Sequence, residues 1–516
     1  MSEVNVTWID NRGEAGVQPS KGREATQQTD RLKENFPFFG PATCLYAILY
    51  AFCMYKNSSG VTFPFFVAGS LFYFCFSLAR LELTLKRGSC FYIISMMLLS
   101  VSTFCTDDGR IIAFNKTGIF LLMMSLLLKQ FYDTSRWKLG KYLASIIQMT
   151  VMSFGQLGRP IGDGRAYYKG KENKKDSKQW YVVLGALTAL PLLLVVMALL
   201  SSADAVFREM TGKLLQGIHP GNLFNILFRI AFLFFASYAL LAYLCTHAIK
   251  EEVKDRRRGE PLLAVTVTGL LSLLYVVFCG IQILYLFLGN MQLPEGYTYA
   301  EYAREGFFQL LAVSILNLVI VLICLTLFRE SRLLKAVLTV MSLCTFVMIA
   351  SSAMRMMIYV HFYSLTFLRL LVLWALVVLF FLFMGVMINI YKEDFGLFRY
   401  SMVVVTVLYL ALSFAHPDYL IAKVNVAKAA GEESMDYRYL SGLNADAAPV
   451  MIPYLKELGY DFDIFYREAD KEAYSRKQFG YYYLFRLKQE KESFSIRSFN
   501  ISRYMAFRQV ERYAGK

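Results

Sequence analysis

Charge is scarce in this sequence. Charged residues fill 18% of its 516 positions, against about 25% in ordinary soluble domains, which argues against a soluble globular protein. Histidine is scarcer still: His219, His247, His361 and His416 each stand alone. The sequence has no HExxH, no GxSxG, no P-loop and no dinucleotide fingerprint, so the common signatures of zinc hydrolysis, serine hydrolysis and nucleotide binding are missing. GQLGRPIGDGR (155–165) is glycine-rich but lacks the GK[ST] that cradles phosphates, and reads as a flexible linker. The nine cysteines all fall in or beside apolar runs, with no CxxC and no metal-ligand spacing. They read as small buried hydrophobes. Neither a metal nor a cofactor is expected.

What the chain has instead is long apolar runs. Hydrophobic residues make up 56% of it and its mean hydropathy is +0.43. Crossing a bilayer takes roughly 18–20 apolar residues. Candidate spans are 38–56, 61–80, 90–106, 115–133, 180–202, 223–247, 262–288, 307–328, 335–359, 366–391 and 399–415. The fold class expected is therefore all-α: a polytopic α-helical membrane protein with about eleven transmembrane helices and a small helical soluble C-terminal domain. Its parts divide as a disordered cytoplasmic tail (1–36), a first group of four spans (37–133), a cytoplasmic amphipathic helix and basic linker (134–179), a second group of seven spans (180–415) and a helical domain (416–516). Residues 1–36 are polar with no apolar core near Met1, so the first span is expected to serve as its own uncleaved insertion signal.

The net charge of +15 is first a topology signal, not a nucleic-acid one. With the N-terminus inside, one set of connectors holds Lys86, Arg87, Arg136, Lys138, Lys141, Arg159, Arg165, Lys169, Lys171, Lys174, Lys175, Lys178, Lys250, Lys254, Arg256, Arg257, Arg258, Arg329, Arg332, Lys335 and Lys392. The other set holds only Lys56, Arg110, Arg208, Lys213 and Arg304. This asymmetry puts the N-terminus on the cytoplasmic side and, with an odd span count, the tail outside. Two connectors carry apolar stripes at helical spacing. One is Trp137–Phe154, with Leu139, Tyr142, Leu143, Ile146, Ile147, Thr150 and Phe154 inward and Lys138, Lys141, Ser145 and Gln148 opposite. The other is Asp204–Ile218. Both read as interfacial helices, the first suited to anionic headgroups. In the tail, helices are expected over Asp418–Ala430, Asn444–Leu458, Lys471–Glu492 and Ser498–Tyr513.

The chemistry-bearing candidates cluster on the outer side of this topology. In GYTYAEYAREGF (296–307), Thr298 and Glu301 form a capping box before an apolar run. Arg304 and Glu305 exceed what a cap needs and share a helix face with Glu301. Asp204 lies at the outer end of the fifth span, where helix capping is the simpler role. Arg355 lies a turn inside the ninth span, where snorkelling outward is the simpler role. His361 lies in the following hairpin. Arg369, in the first turn of the tenth span, opposes the helix dipole and is expected to pair with a carboxylate: Glu301, Glu305, Asp204 or Asp418. The candidate polar site is thus Asp204, Glu301, Arg304, Glu305, Arg355, His361 and Arg369. Asp107 and Asp108, in CTDDGR, read first as a turn.

SSADAVF, YTYAEYAREGFFQLL with Asn317, RMMIYVHFYSLTFLRLLVLW, DYLIAKVNV and YLSGLNADAAP resemble a bacterial multipass-membrane family catalogued as domain of unknown function 4173, a relative of 4153. The resemblance runs from about residue 180 into the tail. It implies architecture and envelope location and supplies no catalytic role. Three classes of function stay open. The first is a non-enzymatic envelope sensor, regulator or assembly module, with membrane lipids and an envelope protein as partners and no nucleic acid. The second is a transporter, whose polar or helix-breaking residues would be Asn317, Asn389 and Pro191. The third is a lipid-linked transferase with Asp107 and Asp108 as acids. The topology has a direct check. A single cysteine at Ser475 in a cysteine-free background is expected to react with a membrane-impermeant maleimide in intact cells, and labelling only after lysis would reverse the orientation or change the span count by one.

Overall fold

The computed structural model describes residues 21–57, 59–134, 137, 139–170, 196, 200, 203–204, 220–246, 257–284, 306–392, 395–429, 436–460, 462, 478–492 and 496–514. The described segments are helical, apart from an isolated bridge between Gly259 and Phe328. Nine described helices are long and apolar enough to cross a membrane, and Ser89–Cys105 is a shorter apolar helix. The protein is an all-α polytopic membrane protein. Ten of the eleven expected spans fall on these helices within a few residues. The fifth, 180–202, lies almost wholly outside the described residues, as does the Asp204–Ile218 stripe.

The first group comprises α2 (Phe36–Met54), α3 (Thr62–Arg80), α4 (Ser89–Cys105) and α5 (Gly109–Phe131), with α8 (Pro220–Thr246) packed on α2. The second comprises α9 (Pro261–Gln282), α10 (Phe307–Leu327), α11 (Arg332–Tyr363) and α12 (Phe367–Tyr391). The last span, α13 (Leu397–Phe414), packs on both α12 and α4 and so joins the two groups. Many large apolar side chains face outward, among them Phe72, Leu270, Leu273 and Phe228. Such surface belongs in lipid.

Two expectations need correction. Residues 21–36 are not a disordered stretch: α1 (Lys21–Glu34) is a helix packed on α8, and α2 begins at Phe36. Leu32 is buried, the Thr29 hydroxyl donates to the Cys245 carbonyl (3.1 Å) and Arg31 pairs with Glu82 (2.6 Å). In α6 (Leu139–Ser153) the apolar stripe is divided. Tyr142, Ile146 and Met149 are buried with Ser145, and the helix packs on α8, while Leu143, Ile147 and Val151 are exposed. The helix therefore has two apolar faces, one for protein and one open.

The tail domain contains α14 (Pro417–Ala429), α15 (Tyr437–Ser441), a 3-10 turn (Ala445–Ala447), α16 (Ala448–Glu457), α17 (Phe479–Glu492) and α18 (Ile501–Tyr513). Its buried cluster includes Ile421, Met451, Ile452, Phe479, Leu484 and Val510, and extends to Leu365 in the α11–α12 turn. It sits on three interhelical turns at one end of the bundle. At the first, Asn57 Nδ2 donates to the Arg497 carbonyl (2.9 Å) and the Val61 amide to the Phe499 carbonyl (2.9 Å). At the third, the Leu365 amide donates to Asn425 Oδ1 (2.7 Å), Asn425 Nδ2 returns a bond to the Leu365 carbonyl (2.9 Å), and the Phe367 amide donates to the Tyr439 hydroxyl (2.8 Å). The second turn, 106–108, is likewise bound by the tail, through Asp446 and Asn500. The opposite end of the bundle carries Lys86, Arg87, Arg257, Arg258, Arg329, Arg332, Lys335 and Lys392, so the basic connectors and the tail lie at opposite ends.

Gly60 shows how closely the tail approaches. A Cβ there would lie 2.1 Å from the Arg497 carbonyl oxygen and 2.6 Å from Ser498 Cα, both backbone atoms. Gly60→Ala is expected to displace the 496–500 segment at a cost of about 1–3 kcal/mol, read as a lower melting temperature and faster hydrogen exchange at Val61 and Phe499. Unchanged exchange there would refute the contact.

Candidate functional site

The second turn is TDDGR, residues 106–110. It joins α4 to α5 and is covered by the tail. Asp108 has extended backbone and caps α5, accepting from the Arg110 amide at 2.9 Å. The sequence reads as a turn here, and an N-cap is a role that suits aspartate. The rest of the geometry goes further. The Arg110 guanidinium grips Asp108 with Nε (2.9 Å) and Nη2 (2.8 Å), and the same Nη2 reaches Asp418 Oδ1 of α14 (2.6 Å). The plane of the guanidinium lies over the Phe367 ring, 3.8 Å from its centroid. One arginine thus joins the second turn, the first turn of α14 and the start of α12.

Asp107 and Asp446 make a second knot. The Asp107 amide donates to Asp446 Oδ1 (2.9 Å), and the Thr106 hydroxyl donates to Asp446 Oδ2. His416 Nδ1 stands 3.5 Å from the same oxygen. In return, the Ala445 amide approaches Asp107 Oδ2 (3.4 Å), and Arg503 Nε of α18 donates to Asp107 Oδ1 (2.5 Å). Asn500 caps α18 and donates to the Thr106 carbonyl (2.8 Å). The Asn444 amide closes on Asp418 Oδ2 (3.2 Å). Asp107, Asp108, Asp418 and Asp446 are all buried; Asp108 accepts from Arg110 of its own turn, and the other three accept from donors on other elements. Buried carboxylates survive only when paired in this way.

The electrostatics follow. Burial raises the Asp107 carboxyl above the usual carboxylate range, though Arg503 opposes the shift. Burial likewise pushes Asp418 up to about 6 against the pull of Arg110. Burial would also raise Asp446, but the hydrogen bonds from His416, Ser502, Thr106 and the Asp107 amide outweigh it and hold that carboxyl low. His416 is raised, chiefly by its hydrogen bond to Asp446.

A cavity of about 640 Å³ opens beside the cluster, lined by Asp107, Asp108, Arg110, Asp418, Asp436, Arg438, Asn444, Arg486 and Arg503, with Gly109, Tyr439, Gly442 and Leu443. None of the four described candidates, Asp204, Arg355, His361 and Arg369, lines it. Glu301, Arg304 and Glu305 lie outside the described residues. Asp204 is exposed. His361 is exposed, and its carbonyl accepts from Lys428 (2.7 Å). Arg355 is buried in the second group, 3.3 Å from Gln282 Oε1, which also accepts from the Ser351 hydroxyl. Arg369 donates to the carbonyls of Tyr363 and Ser364 and stacks on the Tyr359 ring at 4.2 Å. Its described partners are thus the last carbonyls of α11, the negative end of that helix dipole, and not a carboxylate. Asp418, one of the partners expected for it, is held by Arg110.

Among the described residues, no group of three or more His, Cys, Asp or Glu side chains is arranged to hold a metal ion. The sequence matches the family described as Domain of unknown function (DUF4153) over residues 93–454, and the chain belongs to that family. The match begins well before residue 180, where the resemblance was read to start, and the family is 4153, the relative, where 4173 was expected. It contains the TDDGR turn, α14 and the 3-10 turn, but not Asn500 or Arg503. Neither the search of curated proteins nor that of solved structures found a match.

The pH dependence of tail docking has a defined sign. Asp418 and Asp107 bind protons more tightly when docked, as does His416. Stability from a raised group is present below its free pKa and lost as pH rises through the docked one. Docking is therefore expected to weaken as pH climbs from about 4 through 6, where Asp418 titrates, and to weaken again as His416 discharges above its ordinary range. Asp446 acts oppositely, and its contribution is lost only at strongly acidic pH. Exchange protection of 443–449, corrected for the intrinsic rate, should fall across this window. His416→Ala should remove the upper part of the fall. Protection that rises with pH would contradict the assignment.

Proposed function

We propose that this protein is a non-enzymatic regulator of a bacterial envelope, a sensor or assembly module whose tail domain is held on the bundle by the acid–arginine cluster and acts when that hold changes. The observation that carries the reading is the cluster itself. Thr106 and Asp107 are bound to Asp446 across about 340 positions, and Arg110 to Asp418 across 308. The bonds tie a domain to a membrane bundle by groups that titrate, with a cavity beside them. The tail is assigned to the outside and α1 to the cytoplasm. The gathering of Lys86, Arg87, Arg257, Arg258, Arg329, Arg332, Lys335 and Lys392 at the end opposite the tail supports this. That basic end suits anionic headgroups, and an envelope protein is the partner the tail would present itself to.

The transferase reading ranks second, because Asp107 and Asp108 line the cavity. Against it, both carboxylates are engaged by arginines, whereas a general acid or base must reach its substrate. The transporter reading has less support. Asn317 forms a closed set with Tyr275 (2.9 Å) and Thr345 (2.9 Å).

Replacing Arg110 by alanine strips Asp108 and Asp418 of their shared cation. The cost expected is about 3 kcal/mol, the low end for a buried pair because Arg110 is itself partly exposed. Exchange of 443–449 should rise, and the variant should fail to complement a deletion strain. A freed tail with full complementation would refute the regulator reading. Loss of an envelope polymer in Asp108→Asn with the tail still protected would favour the transferase.

A further inference from the structure

The cavity has a chemistry of its own. We propose that it binds a phosphate group, carried by a phospholipid headgroup or by a soluble phosphate ester; the inference rests on the tail–bundle junction being the working site. Four guanidiniums reach its wall from four segments: Arg110 on α5, Arg438 on α15, Arg486 on α17 and Arg503 on α18. Four carboxylates share that wall, so recognition does not rest on net charge. It rests on which groups are already committed. Asp107 is taken by Arg503 and the Ala445 amide. Asp108 is taken by Arg110, and Asp418 by Arg110 and the Asn444 amide. Asp436 caps α15 through the Tyr439 amide (2.9 Å). Arg486 is different. Among the described residues it donates only to the Ser441 carbonyl, at 3.3 Å, and meets no carboxylate.

A guanidinium so placed keeps most of its planar fork of N–H donors, the arrangement that matches two oxygens of a phosphate. The volume of 640 Å³ falls within the roughly 300–1,000 Å³ of ligand pockets, and exceeds what a bare phosphate needs. The depth also fits. The cavity lies at the end of the bundle where α5 begins and α14 follows α13, and headgroups stand at the ends of membrane spans. Beside it Arg110 covers Phe367, and the neighbouring Leu368 is exposed, offering apolar surface for an acyl chain.

The test uses the full chain, delipidated in detergent. Phosphatidylglycerol and glycerol 3-phosphate are titrated separately, with binding read by native mass spectrometry. Docking is read on ligand-free protein as exchange protection of 443–449. At least one probe is expected to bind, and Arg486→Ala should weaken it about ten-fold or more, the loss of one charge-assisted interaction. Arg486→Lys, which keeps the charge without the fork, should fall between. Binding of phosphatidylglycerol alone assigns a lipid, and of glycerol 3-phosphate alone a soluble ester. Binding of neither, or equal binding by Arg486→Ala, overturns the proposal. If Arg486→Ala also loses protection, Arg438→Ala is read on the same scale, with weakened binding supporting the proposal and unchanged binding overturning it. A wild-type tail that shows no protection refutes the docking reading whatever the probes do.

Discussion

A buried carboxylate must find donors, and Asp446 finds all of its donors on other segments. Thr106 and the Asp107 amide come from the α4–α5 turn, and His416 from the end of α13. Left alone, this carboxylate would cost several kcal/mol in an apolar setting. The tail therefore cannot lie elsewhere on the bundle without stranding it. The same logic repeats around it. Asp107 turns back to the Ala445 amide and to Arg503, and Asp418 to the Asn444 amide and Arg110. The exchange is reciprocal: each side buries an acid that takes donors from the other, with Ser502 and the Asn444 amide adding bonds from within the tail. That reciprocity fixes position in a way that the shared apolar cluster around Leu365 does not, because apolar contact is non-directional.

The cluster does not end at the membrane surface. Asn115, one turn below Arg110, accepts from the hydroxyls of Tyr409 (2.7 Å) and Ser413 (2.9 Å) and donates to Thr103 (3.1 Å), while Ser413 also meets Ser102 (2.6 Å). These bonds pin α13 to α4 and α5. Since α13 is the span that joins the two helix groups, and His416 follows directly on it, a shift of the tail bears on the joint of the bundle. Polar bonds between spans hold each other in register where no water competes for them.

The spans were legible because length and hydropathy are local, and the bilayer enforces them. The segregation of lysine and arginine was legible for the same reason. A single cap was legible too, as Asn444 shows. The partners of Asp107, Asp418 and Asp446 were not, because no spacing rule connects residue 106 to residue 446. TDDGR, HPD and NAD each set an acid at the edge of an apolar element, which hinted that those acids are buried, and each sequence also reads well as a turn or cap. Arg369 was read as a cation that opposes its own helix dipole and was expected to meet a carboxylate. Its answer is the end of the preceding helix, which a left-handed Ser364 (φ +77°) folds back toward it.

The contrast between Arg110 and Arg355 carries the last step. Arg355 is enclosed among helices of the second group, beside Gln282 and Ser351, where moving it means parting packed spans. Arg110 stays partly exposed at the cavity, while the acids it holds are buried. Ion pairs of this kind add little net stability over apolar packing, yet removing one partner is severe. A domain meant only to stay attached would do better with leucines. Building the junction from arginines, acids and one histidine gives up stability and gains dependence on proton concentration and on any anion that competes for the guanidiniums. On the function proposed above, the junction is built less like a weld than like a catch, and its release would be set by what reaches the cavity.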